Sequence, residues 1–126
     1  MFVVLAACSG TSTTGSTCPS SDAPTYDNFG RRFFTTYCSG CHAAVAPDRR
    51  GAPRDQVFDT EAQIKAHAAE IDAVAAKGPN ASNDDMPDMA GPVRSPPSAL
   101  ERERLGQLLA CEAAMSARQA ETIPAR

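Results

Sequence analysis

Apolar positions recur at helical spacing in three stretches of this chain, and nowhere do they alternate with polar ones as a half-buried strand requires. The first stretch covers 25–37, where Tyr26, Phe29, Phe33 and Tyr37 follow one another at intervals of three and four. Gly30 interrupts its interior, where glycine costs about 1 kcal/mol against alanine. Close approach of another helix would explain a glycine at that position. The second stretch covers 59–76. It opens on Thr60-Glu61-Ala62-Gln63, a capping box in which Thr and Gln side chains satisfy each other's backbone N–H groups. Ile64, Ile71 and Val74 form its apolar face with Ala68 and Ala75, and Gly78-Pro79 ends it. The third stretch begins at a second capping box, Ser98-Ala99-Leu100-Glu101, and runs from Ala99 to about Met115 with Leu105, Leu108 and Leu109 facing inward. Its run Glu101-Arg102-Glu103-Arg104 reads as a solvated face.

Between these helices the chain reads as loop. The stretch 43–58 contains Pro47, Gly51 and Pro53, and 80–97 contains four prolines and Gly91. Ser9 to Pro24 is rich in Ser, Thr and Gly and reads as a tether whose far half is pinned at Cys18. Residues after Ser116 read as a polar tail. These signals predict an all-α chain in four parts: 1–7, a truncated signal segment; 8–24, the tether; 25–116, the folded domain; and 117–126, the tail.

Length and charge narrow the function. A chain of 126 residues fits one domain. Fifteen acidic residues against twelve basic give a net charge of −3, with no basic helix and no interleaving of aromatic and basic residues, which argues against a nucleic-acid partner. No run of eighteen apolar residues predicts a spanning helix. Large apolar side chains are few between 25 and 112 and Trp is absent, so a bound apolar group would complete a thin core.

Cys38-Ser39-Gly40-Cys41-His42 supplies such a group. It is C-x-x-C-H, the attachment signature for a c-type haem. Thiols at i and i+3 lie one turn apart and can add to the two vinyl groups on one porphyrin edge, and the following imidazole is carried under the ring as an iron ligand. The other cysteines fit the same compartment. Cys8 closes Leu5-Ala6-Ala7-Cys8, a lipobox-like sequence at which a bacterial lipoprotein would be acylated. The segment before it carries no Lys or Arg, so it reads as the remainder of a signal, the alternative being a chance match. Cys18 and Cys111 remain and are expected to form a disulfide, the alternative being two unrelated thiols. Haem attachment and disulfides both belong outside the cytoplasm.

A second axial ligand should come from well downstream. Met86, followed by Pro87, is the better candidate and Met89 the rival, since a thioether is a soft donor that favours ferrous iron. The alternative for either is a gap-filling methionine. His67 lies on the apolar side of the second helix and reads as a structural residue, with distal ligation or a propionate contact as alternatives.

The chain resembles the class I c-type cytochromes, in particular the small cytochrome c lipoproteins of bacterial envelopes. The resemblance covers about 25–112. Cys38, Cys41 and His42 match the haem motif; Gly30 and Phe34 match the family's glycine and aromatic of the first helix; Leu105, Leu108 and Leu109 match its last helix, although Leu108 stands where an aromatic is usual; Met86-Pro87 resembles the ligand motif. The resemblance implies a small cytochrome c fold of about three main helices around one covalent haem c, with His42 and Met86 on the iron. It also brings the terminal helices together, so that Cys18 and Cys111 can meet.

The function implied is one-electron transfer between redox proteins of the periplasm or cell envelope, by a carrier rather than an enzyme, monomeric and attached to the membrane only through a lipid at Cys8. Asp84, Asp85 and Asp88 would form an acidic lip for a basic partner, or simply a solvated loop. The alternative function is the haem subunit or domain of an oxidoreductase or peroxidase-like enzyme with a labile sixth ligand, for which His67 is the sole nearby acid–base group. Without haem, Cys38 and Cys41 would be a disulfide-exchange pair or part of a zinc site. The first would call for βαβ units and the second for four ligands.

Overall fold

The computed structural model describes residues 13–122, with side chains described as far as Met115. Cys8, segment 1–7 and residues 123–126 lie outside the described residues. The described chain is all-α, with one isolated antiparallel bridge between Lys77 and Ser82 and no strand. A π-helical turn, Tyr26–Gly30, leads into α1 (Arg31–Tyr37), followed by α2 (Ser39–His42), α3 (Glu61–Ala66), α4 (Ala68–Ala75) and α5 (Ala99–Thr122). No described helix is long and apolar enough to cross a membrane.

The first predicted helix forms, but its opening turn is wide. Thr25 and Asn28 cap each other, and the Thr25 carbonyl accepts from both Phe29 and Gly30 N–H at 3.0 Å. Gly30 then faces α5, where a Cβ would lie 2.9 Å from Leu108 Cδ2. That contact is the predicted close helix approach, and it explains the glycine. Phe33 and Phe34 are buried behind it with Leu105, Leu108 and Leu109, forming one core with Phe58, Ile64, Ile71, Ala75 and Ala76.

The second predicted helix is divided. Its capping box forms as expected, with Thr60 Oγ1 accepting from Gln63 N–H at 3.2 Å. At His67 the backbone leaves helical geometry (φ −114°, ψ 18°), so 61–75 becomes two short helices. Both pack on α5. The third helix extends beyond Met115 to Thr122, through the residues read as the start of a tail.

Two further readings need correction. The tether is fixed already at Thr14 and again at Cys18, although most of 15–22 is exposed. Thr14 is fully buried and donates to both carboxylate oxygens of Asp72, from N–H at 2.8 Å and from Oγ1 at 2.7 Å. Ser16 beside it lies where a Cβ on Gly106 would go, so that glycine lets the N-terminal segment cross α5 closely. The run Glu101–Arg104 is not simply a solvated face either. Arg102 is buried, and Glu101 accepts a hydrogen bond from Tyr37 Oη at 3.1 Å. Cys18 and Cys111 are joined in a disulfide that spans 93 residues and fixes the same N-terminal segment to α5.

Candidate functional site

The cysteine motif sits on a tight turn at the end of α1. Cys38 N–H donates to the Phe34 carbonyl at 2.9 Å, which also accepts from Ser39 Oγ at 3.1 Å. The Cys38 carbonyl then accepts from Cys41 and His42 N–H at 3.2 and 2.9 Å. This geometry places Cys38, Cys41 and His42 on the wall of one cavity of about 230 Å³. A single water needs only ~10–15 Å³, so the cavity is no packing defect. Gly40, between the two cysteines, abuts the ring of Pro92 and leaves no room for a side chain. Both thiols are free. Burial, and secondarily the Cys41 sulfur, pushes the Cys38 thiol up to about 12.

His42 is held on three sides. Its Nδ1 lies 2.8 Å from the Gln56 carbonyl, its own carbonyl accepts from Phe58 N–H at 2.8 Å, and its ring stacks on Phe58 at 4.6 Å and 22°. A carbonyl only accepts, so Nδ1 carries a proton, and in the neutral ring the lone pair is on Nε2. Such a hydrogen bond fixes both tautomer and orientation of a ligating imidazole. Arg49 supports the loop that brings Gln56 there. Its Nη1 donates to the Ala43 carbonyl at 2.9 Å, and its Nη2 to the Pro53 carbonyl at 2.7 Å and, more weakly, to Gln56 at 3.4 Å. Arg49 Nε is buried beside the cavity with no hydrogen-bond partner among the described residues.

The remaining walls are largely apolar: Phe33, Phe58, Ile71, Val74, Ala75 and Val93. Met86 and Pro87 complete the lining from the 80–97 loop, whereas Met89, 46 % exposed, is not among the lining residues. Met86 is anchored through its backbone. Its N–H donates to the Val74 carbonyl at 2.9 Å, and its carbonyl accepts from Arg102 Nη1 at 2.8 Å.

His67 lies outside this lining. Its ring meets the edge of Phe58 at 5.7 Å, and Nδ1 donates to Glu70 Oε2 at 2.8 Å, a bond that raises its pKa. It is a satisfied structural histidine, as the sequence favoured. Asp84, Asp85 and Asp88 are exposed on the same loop as Met86, with Asp88 reaching the cavity rim. Arg49 and Arg50 lie on that rim as well, so the lip is not uniformly acidic.

Sequence reasoning missed Gln56, Phe58, Arg49 and Arg102. Phe58 carried the one faint signal, a lone aromatic between polar loop and capping box. Gln56 acts through its carbonyl, which no side-chain pattern records. Arg102 is hidden in an alternating charge run.

Compared with known protein families, curated proteins and solved structures, the chain matches none.

The residues suit a covalently held apolar macrocycle. Two free thiols one turn apart, an imidazole with a committed tautomer and a loop thioether share one apolar cavity. Among the described residues, this cavity included, no three His, Cys, Asp or Glu side chains gather as a metal cluster.

Proposed function

We propose that this chain is a class I c-type cytochrome, a one-electron carrier of the bacterial periplasm or cell envelope. One observation carries the reading: Cys38, Cys41, His42 and Met86, four residues chosen from sequence across nearly fifty positions, line a single apolar cavity. Haem c, when bound, supplies the Fe(III)/Fe(II) couple. Cys38 and Cys41 would hold it through thioethers, His42 through Nε2, and Met86 through its sulfur. The Gln56 carbonyl keeps the His42 proton on Nδ1, leaving Nε2 as the nitrogen that would ligate. The largely apolar walls would lower the local dielectric and disfavour the extra charge of the ferric state. As a soft donor, the Met86 thioether would favour ferrous iron.

Rival readings find less support. A peroxidase-like site would rest on His67, which is engaged by Glu70 and lies off the cavity wall. A disulfide-exchange pair needs a thiol lowered toward neutrality, whereas burial drives Cys38 upward. The partners proposed are redox proteins, with membrane attachment through Cys8 alone.

The test is expression in a host that attaches haem c, followed by a pyridine haemochrome spectrum and intact mass. A red protein heavier by one haem is expected. A colourless chain of unmodified mass overturns the reading.

A further inference from the structure

Arg102 is buried, with 8 % of its surface exposed, and among the described residues no carboxylate pairs with it. Removing a guanidinium from water costs several kcal/mol unless its hydrogen bonds are replaced. The replacements here are all backbone carbonyls. Nη1 approaches Ala75 at 2.8 Å, Met86 at 2.8 Å and Asn83 at 3.1 Å. Nη1 has two hydrogens, so the two short bonds, to Ala75 and Met86, take one each and Asn83 shares. Ala75 is the last residue of α4, where the carbonyls lack helical partners and the helix dipole favours a cation.

The carbonyl of Met86 is thereby tied to the end of α4 through a side chain of α5. Its N–H is tied to Val74 of α4 at 2.9 Å. Met86 itself is 40 % exposed at the cavity wall, so packing covers it only in part. The place of its sulfur depends on where the backbone is held. A hydrophobic residue at 102 could fill the space but could not hold the loop.

We propose that Arg102 is the positioning residue for Met86: it clamps the loop so that the thioether stays at the cavity. This role rests on the haem reading above. It concerns a residue that does not line the cavity and acts only through the Met86 backbone.

The experiment uses haem-loaded protein with Arg102→Lys and Arg102→Gln, and Arg104→Gln as a control on the same helix. Three readouts are taken: the weak far-red band of methionine-ligated ferric haem, the affinity for added imidazole, and hydrogen exchange at the Met86 amide. In Arg102→Gln the band is lost or diminished and imidazole binds about 10- to 100-fold more tightly, the range for losing a hydrogen bond to a charged group. Met86 amide exchange accelerates while the amides of α5 stay protected. Arg102→Lys, which keeps the charge but not the planar fork, falls between and serves if the glutamine variant folds poorly. In a Met86→Ala background Arg102→Lys has little further effect on imidazole affinity, because the clamp no longer has a ligand to hold. Wild-type band and affinity in both variants overturn the proposal. So does an equal effect with and without Met86, which would mark general destabilisation. A colourless wild type is a different failure: it removes the iron-ligand role with the haem reading, while amide exchange still reports the clamp.

Discussion

Glu112 shows how one buried group can act against the fold. It lies on α5 with 5 % of its surface exposed, and among the described residues its Oε2 makes no hydrogen bond, with Lys65 Nζ 3.6 Å away. Burial raises its pKa above the ordinary 4.5, the neighbouring Glu61 raises it further, and Lys65 partly opposes both. The native state therefore holds this proton more tightly than the unfolded chain. The associated stability is present below the unfolded pKa and is lost as pH rises through the folded one. Glu112→Gln keeps the shape without the charge. It should stabilise the protein at neutral pH by on the order of 1 kcal/mol, and urea titrations should show a shallower decline between pH 4.5 and neutrality. Gly30 presents the opposite case. Alanine there gains about 1 kcal/mol of helix propensity, but its Cβ would meet the buried Leu108 Cδ2 at 2.9 Å and Tyr26 Cδ2 at 3.2 Å. Overpacking costs about 1–3 kcal/mol, so Gly30→Ala should lower stability, by about 1 kcal/mol in denaturant. A stabilised variant would mean that Leu108 moves aside freely.

At the scale of elements, the disulfide and the Thr14–Asp72 contacts together fasten the N-terminal segment across α4 and α5. Cys18→Ser with Cys111→Ser should lower stability by about 2–5 kcal/mol, since a loop of this length is freed in the unfolded chain. Thr14→Val, measured beside it, should cost about 1–3 kcal/mol, because it removes the Oγ1 hydrogen bonds to Asp72 and to the hydroxyl and N–H of Ser16 and leaves only the backbone one to Asp72. A double serine variant as stable as its parent would sink this account. Which elements were legible in sequence follows from what each depends on. The stripe Tyr26–Tyr37 and the Thr60 box are local patterns, and both appear. The break at His67 was not legible, because Ala66-His67-Ala68-Ala69 contains no Gly or Pro and the apolar period runs through it. At the break His67 bonds Glu70 three residues on and meets the edge of Phe58 from the preceding loop, neither of which shows in the apolar period. The site divides the same way. Cys38, Cys41 and His42 stand together in sequence, so their sharing one cavity wall was readable. Gln56 and Arg102 were not, because one offers a carbonyl and the other grips three of them.

On the electron-carrier reading proposed above, the question for the molecule as a whole is how a redox partner would find the cavity rim. The chain carries a net charge of −3, and Asp84 and Asp85 stand exposed just before Met86. Arg50 reaches the same region from the other loop, since a Cβ on Gly91 would lie 3.3 Å from its Cδ. The rim is therefore mixed in sign, and steering by the acidic loop must be weaker than its three aspartates alone suggest. Asp88 is unsuited to a test, because its carboxylate accepts from Ala90 N–H at 2.9 Å and shapes the turn. Asp84 and Asp85 carry no such structural bond among the described residues, so Asp84→Asn with Asp85→Asn removes charge without removing a contact. With a basic redox partner, the double variant should transfer electrons a few-fold more slowly at low ionic strength, where charge complementarity sets the encounter rate. The difference should vanish near 1 M salt, where the screening length falls to about 3 Å. Stopped-flow rates across a salt series read both effects. Equal rates for the two proteins at every salt concentration would show that the acidic loop is solvated surface, and that docking is governed by the apolar rim around Met86 and Val93.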